Sequence, residues 1–393
     1  MPVINRFSEF HPEIVEWRRD LHAHPELMFD VHRTAGVVAK KLKEFGVDEV
    51  VEGIGRTGVV GIIRGRQTTS SKVIGLRADM DALPIQEIKD LDYKSQNEGI
   101  MHACGHDGHT AMLLGATKYL AETRNFDGTI AVIFQPAEEG GGGGREMVED
   151  GMMERFGIQQ VYGMHNLPGL PVGQFSIREG SQLASVDYFT INIEGRGGHA
   201  ARPQECIDPA IAVSQLVSAF QTIVSRSTHP LEGTVLSVTQ IHMGDTHNVI
   251  PQTAMMGGTV RTLTAETRDL VQERMTTICE QMAKVHLCSI ELDYERLYPV
   301  TVNHPKETAF AASIASDIVG RENVDDDAIP TMGGEDFAFM LEERPGAFIF
   351  VGQGDSAGLH HPEYDFNDEI IPIGCSYWVK LAETAMPLER TGD

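Results

Sequence analysis

Carboxylates, imidazoles and one thiol recur in this chain directly after short apolar runs. Val73–Arg77 runs into Ala78-Asp79-Met80-Asp81, Thr129–Phe134 into Gln135-Pro136-Ala137-Glu138-Glu139, and Gln160–Met164 into His165-Asn166. Ala347–Val351 runs through a Gly-rich loop into Leu359-His360-His361-Pro362. A fifth stretch, Met101-His102-Ala103-Cys104-Gly105-His106-Asp107-Gly108-His109, presents Cys104 and His106 just before a helical pattern. Thiolate, imidazole and carboxylate are transition-metal ligands, and a Cys two residues before a His can reach the same ion. Taken singly, His102, His106 and His109 read as surface or helix-capping histidines, and Cys104 as a buried apolar thiol. Their company of strand-end carboxylates and imidazoles carries the metal reading. The chain has no Cys-x-x-Cys pair, so a catalytic site with open positions fits better than a zinc finger. Of the neighbours Glu138 and Glu139, one can ligate while the other faces a metal-activated water as general base. The tract Gly140–Gly144 lacks the following Gly-Lys-Ser/Thr of a phosphate loop, which weighs against nucleotide binding.

The elements that must position these groups alternate. Residues 12–22 read as a helix with Pro12 at its start and Ile14, Trp17 and Leu21 on one face. The β-branched runs, with Gly58–Ile63 added, read as strands, and Thr110–Thr123 as a helix. Such alternation predicts an α/β architecture with a mixed, mostly parallel sheet flanked by helices. In open sheets of this kind, sites form beyond the carboxyl ends of the strands, where the candidate ligands fall. Residues 183–297 read differently. Strands at Tyr188–Glu194, Thr234–His242, Ala254–Leu263 and Ser289–Arg296 alternate with helices in the order β-α-β-β-α-β, a ferredoxin-like unit. Its first helix follows an Asp208 cap and Pro209, and its second covers about Ala265–Val285. The α/β pattern then resumes with helices near Glu307–Val319 and Pro372–Thr384. The expectation is a discontinuous catalytic domain, residues 1–182 and 298–393, interrupted by a lid domain at 183–297. Gly197-Gly198-His199 on a mobile insert suits closure over a substrate. Arg261 reads equally well as a strand-edge ion pair, and His22 and His24 read as a helix C-terminal cap.

Composition excludes several classes. The 393 residues include 32 Lys+Arg and 57 Asp+Glu, a net charge of −25. That balance argues against nucleic acid and anionic membranes as partners. No apolar run approaches a membrane span, and the first residues lack a signal-peptide pattern. The five cysteines are odd in number and scattered, which points to a reducing cytoplasm rather than a disulfide framework.

Arg77-Ala-Asp-Met-Asp-Ala-Leu-Pro84, His102–His109, Gln135-Pro-Ala-Glu-Glu-Gly140, Gly163-Met-His-Asn166, Gly197-Gly-His-Ala200, Asn248-Val-Ile-Pro251, Gly333-Gly-Glu-Asp-Phe337 and Leu359-His-His-Pro362 follow one another along the chain. In that combination they resemble the dinuclear metallo-amidohydrolases: hippurate hydrolase, N-acyl-amino-acid hydrolases, plant auxin-conjugate hydrolases and, more distantly, carboxypeptidase G-type enzymes. The resemblance implies two divalent ions (Mn, Zn, Co or Ni), with Cys104 bridging and His106, Glu139, His165 and His360 completing the shells. It implies Glu138 as general base, Asp81 as a carboxylate orienting a ligand imidazole, and Asp79 in a similar role. It further implies His199 on the oxyanion, Asn248 and Arg261 near the substrate carboxylate, and a pocket-shaping Glu335. The implied reaction is hydrolysis of an N-acyl amino acid, and the implied assembly is a homodimer, or dimer of dimers, through the lid. An aminopeptidase or dipeptidase of the same architecture, a metal or thiol sensor using Cys104 without Glu138, and a solute-binding module are the competing readings.

Overall fold

The structure, a computed structural model, describes residues 3–389. These divide into two compact units, one within residues 3–180, 302–329 and 336–389, the other of residues 181–301 and 330–335. In chain order the strands of the two main sheets are β1 (Glu49–Ile54), β2 (Gly58–Arg64), β3 (Val73–Asp79), β4 (Thr129–Gln135), β5 (Gln160–Leu167), β6 (Phe175–Ser176), β7 (Val186–Glu194), β8 (Thr234–His242), β9 (Thr253–Thr262), β10 (Ser289–Tyr298), β11 (Val324–Asp325) and β12 (Gly346–Gly352).

The first unit holds an eight-stranded mixed sheet in the order β1-β2-β4-β3-β5-β12-β6-β11. Its centre, β4-β3-β5-β12, is parallel throughout. β1 and β2 pair antiparallel at one side, and β6 runs antiparallel to β12 at the other. The central strands are buried on both faces, the condition that continuous Val/Ile/Leu runs meet. Because four neighbouring strands run the same way, their carboxyl ends open on one edge of the sheet, which brings Asp79, Gln135, His165 and Gly352 together.

Two helices differ from expectation. The first runs Arg6–Ala23, with Pro12 inside it rather than at its start. Phe7 and Phe10 are buried with Ile14, Trp17 and Leu21, so the apolar stripe extends upstream and its burial outweighs the hydrogen bond that proline removes. The other runs His106–Thr123 and begins four residues before the expected Thr110, with Gly105 as its N-cap at φ 93°. Its polar first turn imitates a loop in sequence, yet His106, Asp107, Gly108 and His109 are all buried. Gly108 lies flat against Phe366; a Cβ there would sit 2.2 Å from the ring.

The second unit carries an antiparallel sheet in the order β8-β9-β7-β10, with helices Pro209–Thr222 and Ala265–His286 between its strands. This is the β-α-β-β-α-β unit. β7 alternates buried and exposed residues along most of its length, as a sheet with one covered face requires. Asp208 caps the first helix by accepting the Ala210 N–H at 2.9 Å. Among the described residues no helix is long and apolar enough to cross a membrane.

Candidate metal centre

Four of the five proposed ligands follow or end a strand or start a helix; His360 lies in a loop turn. His165 lies within β5, and its Nδ1–H donates to the Asn166 carbonyl at 2.6 Å, which turns Nε2 towards Cys104 Sγ at 3.3 Å. Cys104 precedes the Gly105 cap, and His106 occupies the first turn of the helix. β4 runs into a turn where Ala137 takes φ 53°, and Glu138 and Glu139 follow. Their backbone N–H groups donate to the two oxygens of Asp81, at 3.0 and 3.1 Å. Asp81 Oδ1 is also 3.4 Å from His106 Nδ1. Asp81 therefore holds the backbone of the paired glutamates and faces the His106 imidazole with one carboxylate. His360 adopts φ 63°, its N–H donates to the Ala103 carbonyl at 2.7 Å, and its Nε2 lies 3.2 Å from Glu139 Oε1.

Two triads of ligand-type groups result, Cys104–His106–His165 and Cys104–Glu139–His360, with ligand atoms within 4.8 Å of one another inside each triad. Cys104 is common to both. A third grouping, Asp79–His106–His109, is geometrically close, but Asp79 and His109 are engaged elsewhere. Asp79 faces Arg77 Nη1 at 2.6 Å and His109 Nδ1 at 2.6 Å, and His109 Nε2 faces Asn166 Oδ1 at 2.7 Å. By contrast, neither ring nitrogen of His106 and not Oε1 of Glu139 makes a well-formed hydrogen bond, although both residues are at least largely buried. Buried polar atoms without partners are rare, and soft and borderline donors converging on one point fit divalent transition metals.

The electrostatics agree. Burial pushes the Cys104 thiol well above its ordinary value, and Glu139, Glu138 and Asp79 push it further. Burial alone would lower the His106 imidazolium, but Asp79 and Asp81 outweigh it and raise the group to about 10. Burial also holds His165 neutral, with its pKa well below the ordinary histidine value. Anionic oxygens thus outnumber the fixed cations near the thiol.

A second layer escaped the sequence reading. Asp336, fully buried, accepts from Arg77 Nη2 at 3.1 Å, Gln135 Nε2 at 2.7 Å and the Gly144 N–H at 2.8 Å. It ties the glycine tract to the ends of β3 and β4. The tract needs glycine for contact: a Cβ on Gly143 would meet the Pro136 carbonyl at 1.7 Å, and one on Gly144 the Asp336 carbonyl at 2.7 Å. The only hint in the sequence was Asp336's place beside Glu335. His22 is no helix cap. It is buried between Asp107 at 2.9 Å and Glu87 at 3.2 Å, whereas His24 does end its helix.

In the second unit His199 and Asn248 are neighbours. Gly198–His199 and Val249–Ile250 form a short antiparallel ladder, and the Ala200 N–H donates to the Asn248 carbonyl at 3.1 Å. His199 is exposed, and its Nδ1 accepts the Ala201 N–H at 3.1 Å, leaving Nε2 as the protonated nitrogen. Arg261 is not beside them. It lies on β9 opposite Val235, and its guanidinium donates to Thr259 Oγ1 at 2.7 Å.

A family model described as peptidase family M20/M25/M40 matches residues 75–384. The chain is 42% identical to a hippurate hydrolase from Campylobacter jejuni, over 97% of this chain and 99% of that protein. It is 40% identical to an N-acetylcysteine deacetylase from Bacillus subtilis, over 95% and 97% of the two chains. Among solved structures it is similar to a dinuclear metal-binding peptidase of the M20 family from Bacillus subtilis, at 36% identity and a TM-score of 0.84, over 96% of this chain and 99% of that one.

Proposed function

The chain belongs to peptidase family M20/M25/M40, and from that premise we propose that it hydrolyses the amide bond of N-acyl amino acids, releasing a carboxylate and an amino acid. The carrying observation is the meeting of two ligand triads at Cys104, beside the Glu138–Glu139 pair. Hippurate and N-acetylcysteine, named in the relatives, are both N-acyl amino acids.

In this proposal Cys104, His106, Glu139, His165 and His360 would hold two divalent ions, for which Mn, Zn, Co and Ni all suit the donors. When bound, such ions supply a water acidified towards neutrality and polarise the scissile carbonyl. The chain's own groups do the rest. Glu138 takes a proton from the attacking water and returns it to the leaving amine. Asp81 keeps that carboxylate in place through the backbone of its loop. His199 offers its Nε2–H to the oxyanion, a contribution of about 3 kcal/mol for one such donor. Asn248 and Arg261, which lie apart within one chain, reach the substrate carboxylate from two copies of the chain, and the second unit is the lid and dimerisation surface. We place the enzyme in the cytoplasm.

The test is a panel of N-acyl amino acids and free-amine dipeptides on metal-stripped protein, with each metal restored in turn. Metal-dependent release of amino acids from hippurate-type substrates is expected. Cleavage of glycyl peptides with N-acyl substrates left intact would replace the proposal with an aminopeptidase.

A further inference from the structure

Asn166 is fully buried, and it has more polar partners than any ligand beside it requires. Its Oδ1 faces His109 Nε2 at 2.7 Å; its Nδ2 donates to Gln353 Oε1 at 2.9 Å and to Tyr364 Oη at 2.7 Å. Its carbonyl accepts the His165 Nδ1–H. His109 passes the chain on to Asp79 at the end of β3. Gln353 follows the last residue of β12, and its Nε2 donates to Ser356 Oγ at 2.8 Å, which fixes which way its amide points. Tyr364 lies in the loop that follows His360. There is no slack around this side chain. A Cβ on Gly105, the residue between Cys104 and His106, would meet Asn166 Oδ1 at 2.3 Å and Tyr364 Oη at 2.6 Å.

We infer that Asn166 is a positioning residue for the metal centre. One amide ties the ends of β3, β5 and β12 and the loop after His360, and so sets where His165 Nε2 stands relative to Cys104. Groups that orient a ligand imidazole through its second nitrogen have the same character as the ligands themselves, and losing them weakens metal binding about 10- to 100-fold. Here the orienting group is a backbone carbonyl, which mutation cannot remove. The side chain of Asn166 is the handle that holds it.

The inference rests on the metal reading above, and the test separates the two. Wild-type protein, Asn166→Ala, Tyr364→Phe and Gln353→Ala are stripped and titrated with Co²⁺. Wild-type protein that shows no thiolate-to-cobalt absorption overturns the metal reading itself. With that absorption present, Asn166→Ala is expected to bind the ion about 10- to 100-fold more weakly, with a shifted absorption band. Its kcat should fall while KM for the substrate stays close to wild type. Tyr364→Phe and Gln353→Ala should each show part of that effect, and combining either with Asn166→Ala should add little, since they act through one amide. An Asn166→Ala protein with a cooperative melt and an unchanged Co²⁺ spectrum and affinity overturns the inference. If that variant does not fold, an unchanged spectrum in both milder variants overturns it equally.

Discussion

Two buried clusters of ionisable side chains meet at the start of one helix, and they are built on opposite plans. On one side Asp107 is matched by cations: Arg18 Nε at 3.2 Å and His22 Nδ1 at 2.9 Å, with Glu87 on the far nitrogen of His22 and Asp365 2.6 Å from the Arg18 guanidinium. On the other side, one residue earlier in the chain, His106 and Cys104 are surrounded by Asp79, Asp81, Glu138 and Glu139. The first cluster pairs its anions with cations; the second gathers four carboxylates around an imidazole and a thiol, with the Arg77 guanidinium at Asp79. Burial of charge therefore identifies no site here. What separates the two is donor chemistry: thiol, imidazole and carboxylate converge in the second cluster and not in the first.

The comparison can be broken from either side. Glu138→Ala should lower kcat about 10²- to 10⁴-fold with metal content and melting temperature unchanged; a near-normal rate would remove Glu138 as the base. Arg18→Met should do the reverse. It leaves Asp107 in the interior with His22 as its remaining cation and should cost about 3–5 kcal/mol of stability. Chemical denaturation measures the loss, and the folded fraction should still bind metal in full.

The pH responses should differ in sign. Burial opposes the charge on His22, but Asp107 and Glu87 outweigh it and raise the group to about 9. Its stabilisation, about 3 kcal/mol from the raised pKa against an unfolded value of about 6.5, is fully present below pH 6.5. It is lost as the pH rises through 9. Denaturation of the metal-loaded protein should show that decline, and His22→Asn should flatten it. Metal binding should instead strengthen with pH. The Cys104 thiol and the His106 imidazolium both carry protons at neutral pH without metal, so binding releases about two protons. Titration calorimetry in buffers of different ionisation enthalpy measures that release, and an absence of buffer dependence would contradict it. The smallest effect belongs to Asp81→Asn, which keeps one oxygen for the two N–H groups of Glu138 and Glu139. We expect metal affinity about tenfold weaker, read by competition with a chelator.

Much of the layout was legible because it is periodic or local. Runs such as Thr129–Phe134 announced buried strands, and Asp208-Pro209 announced a cap with its own partner two residues away. Reading strand ends together with residue chemistry raised Asp79, Asp81, Glu138, Glu139, His165 and His360 as candidates, with Cys104 and His106 ahead of a helix; their division of roles came from the family resemblance. Asp81 apart, the residues that hold them were not legible. Asp336 meets Arg77 across 259 positions, Asn166 meets Tyr364 across 198, and His22 meets Asp107 across 85. No periodicity encodes such pairs, and Asp336 in a loop resembles an ordinary turn residue. Pro12 and the start at His106 were misplaced for a related reason: tertiary burial overrode a local signal.

Ala137 and His360 both hold the left-handed backbone region, which side chains other than glycine enter at a cost of about 1–3 kcal/mol. At both positions glycine would relax the chain, and at His360 it would delete a proposed ligand. Selection for durability and selection for turnover therefore pull position 360 in opposite directions. A library screened only for heat resistance should drift towards glycine there and yield robust, inert proteins. Position 137 offers no such conflict, and it is the safer of the two for anyone hardening this scaffold.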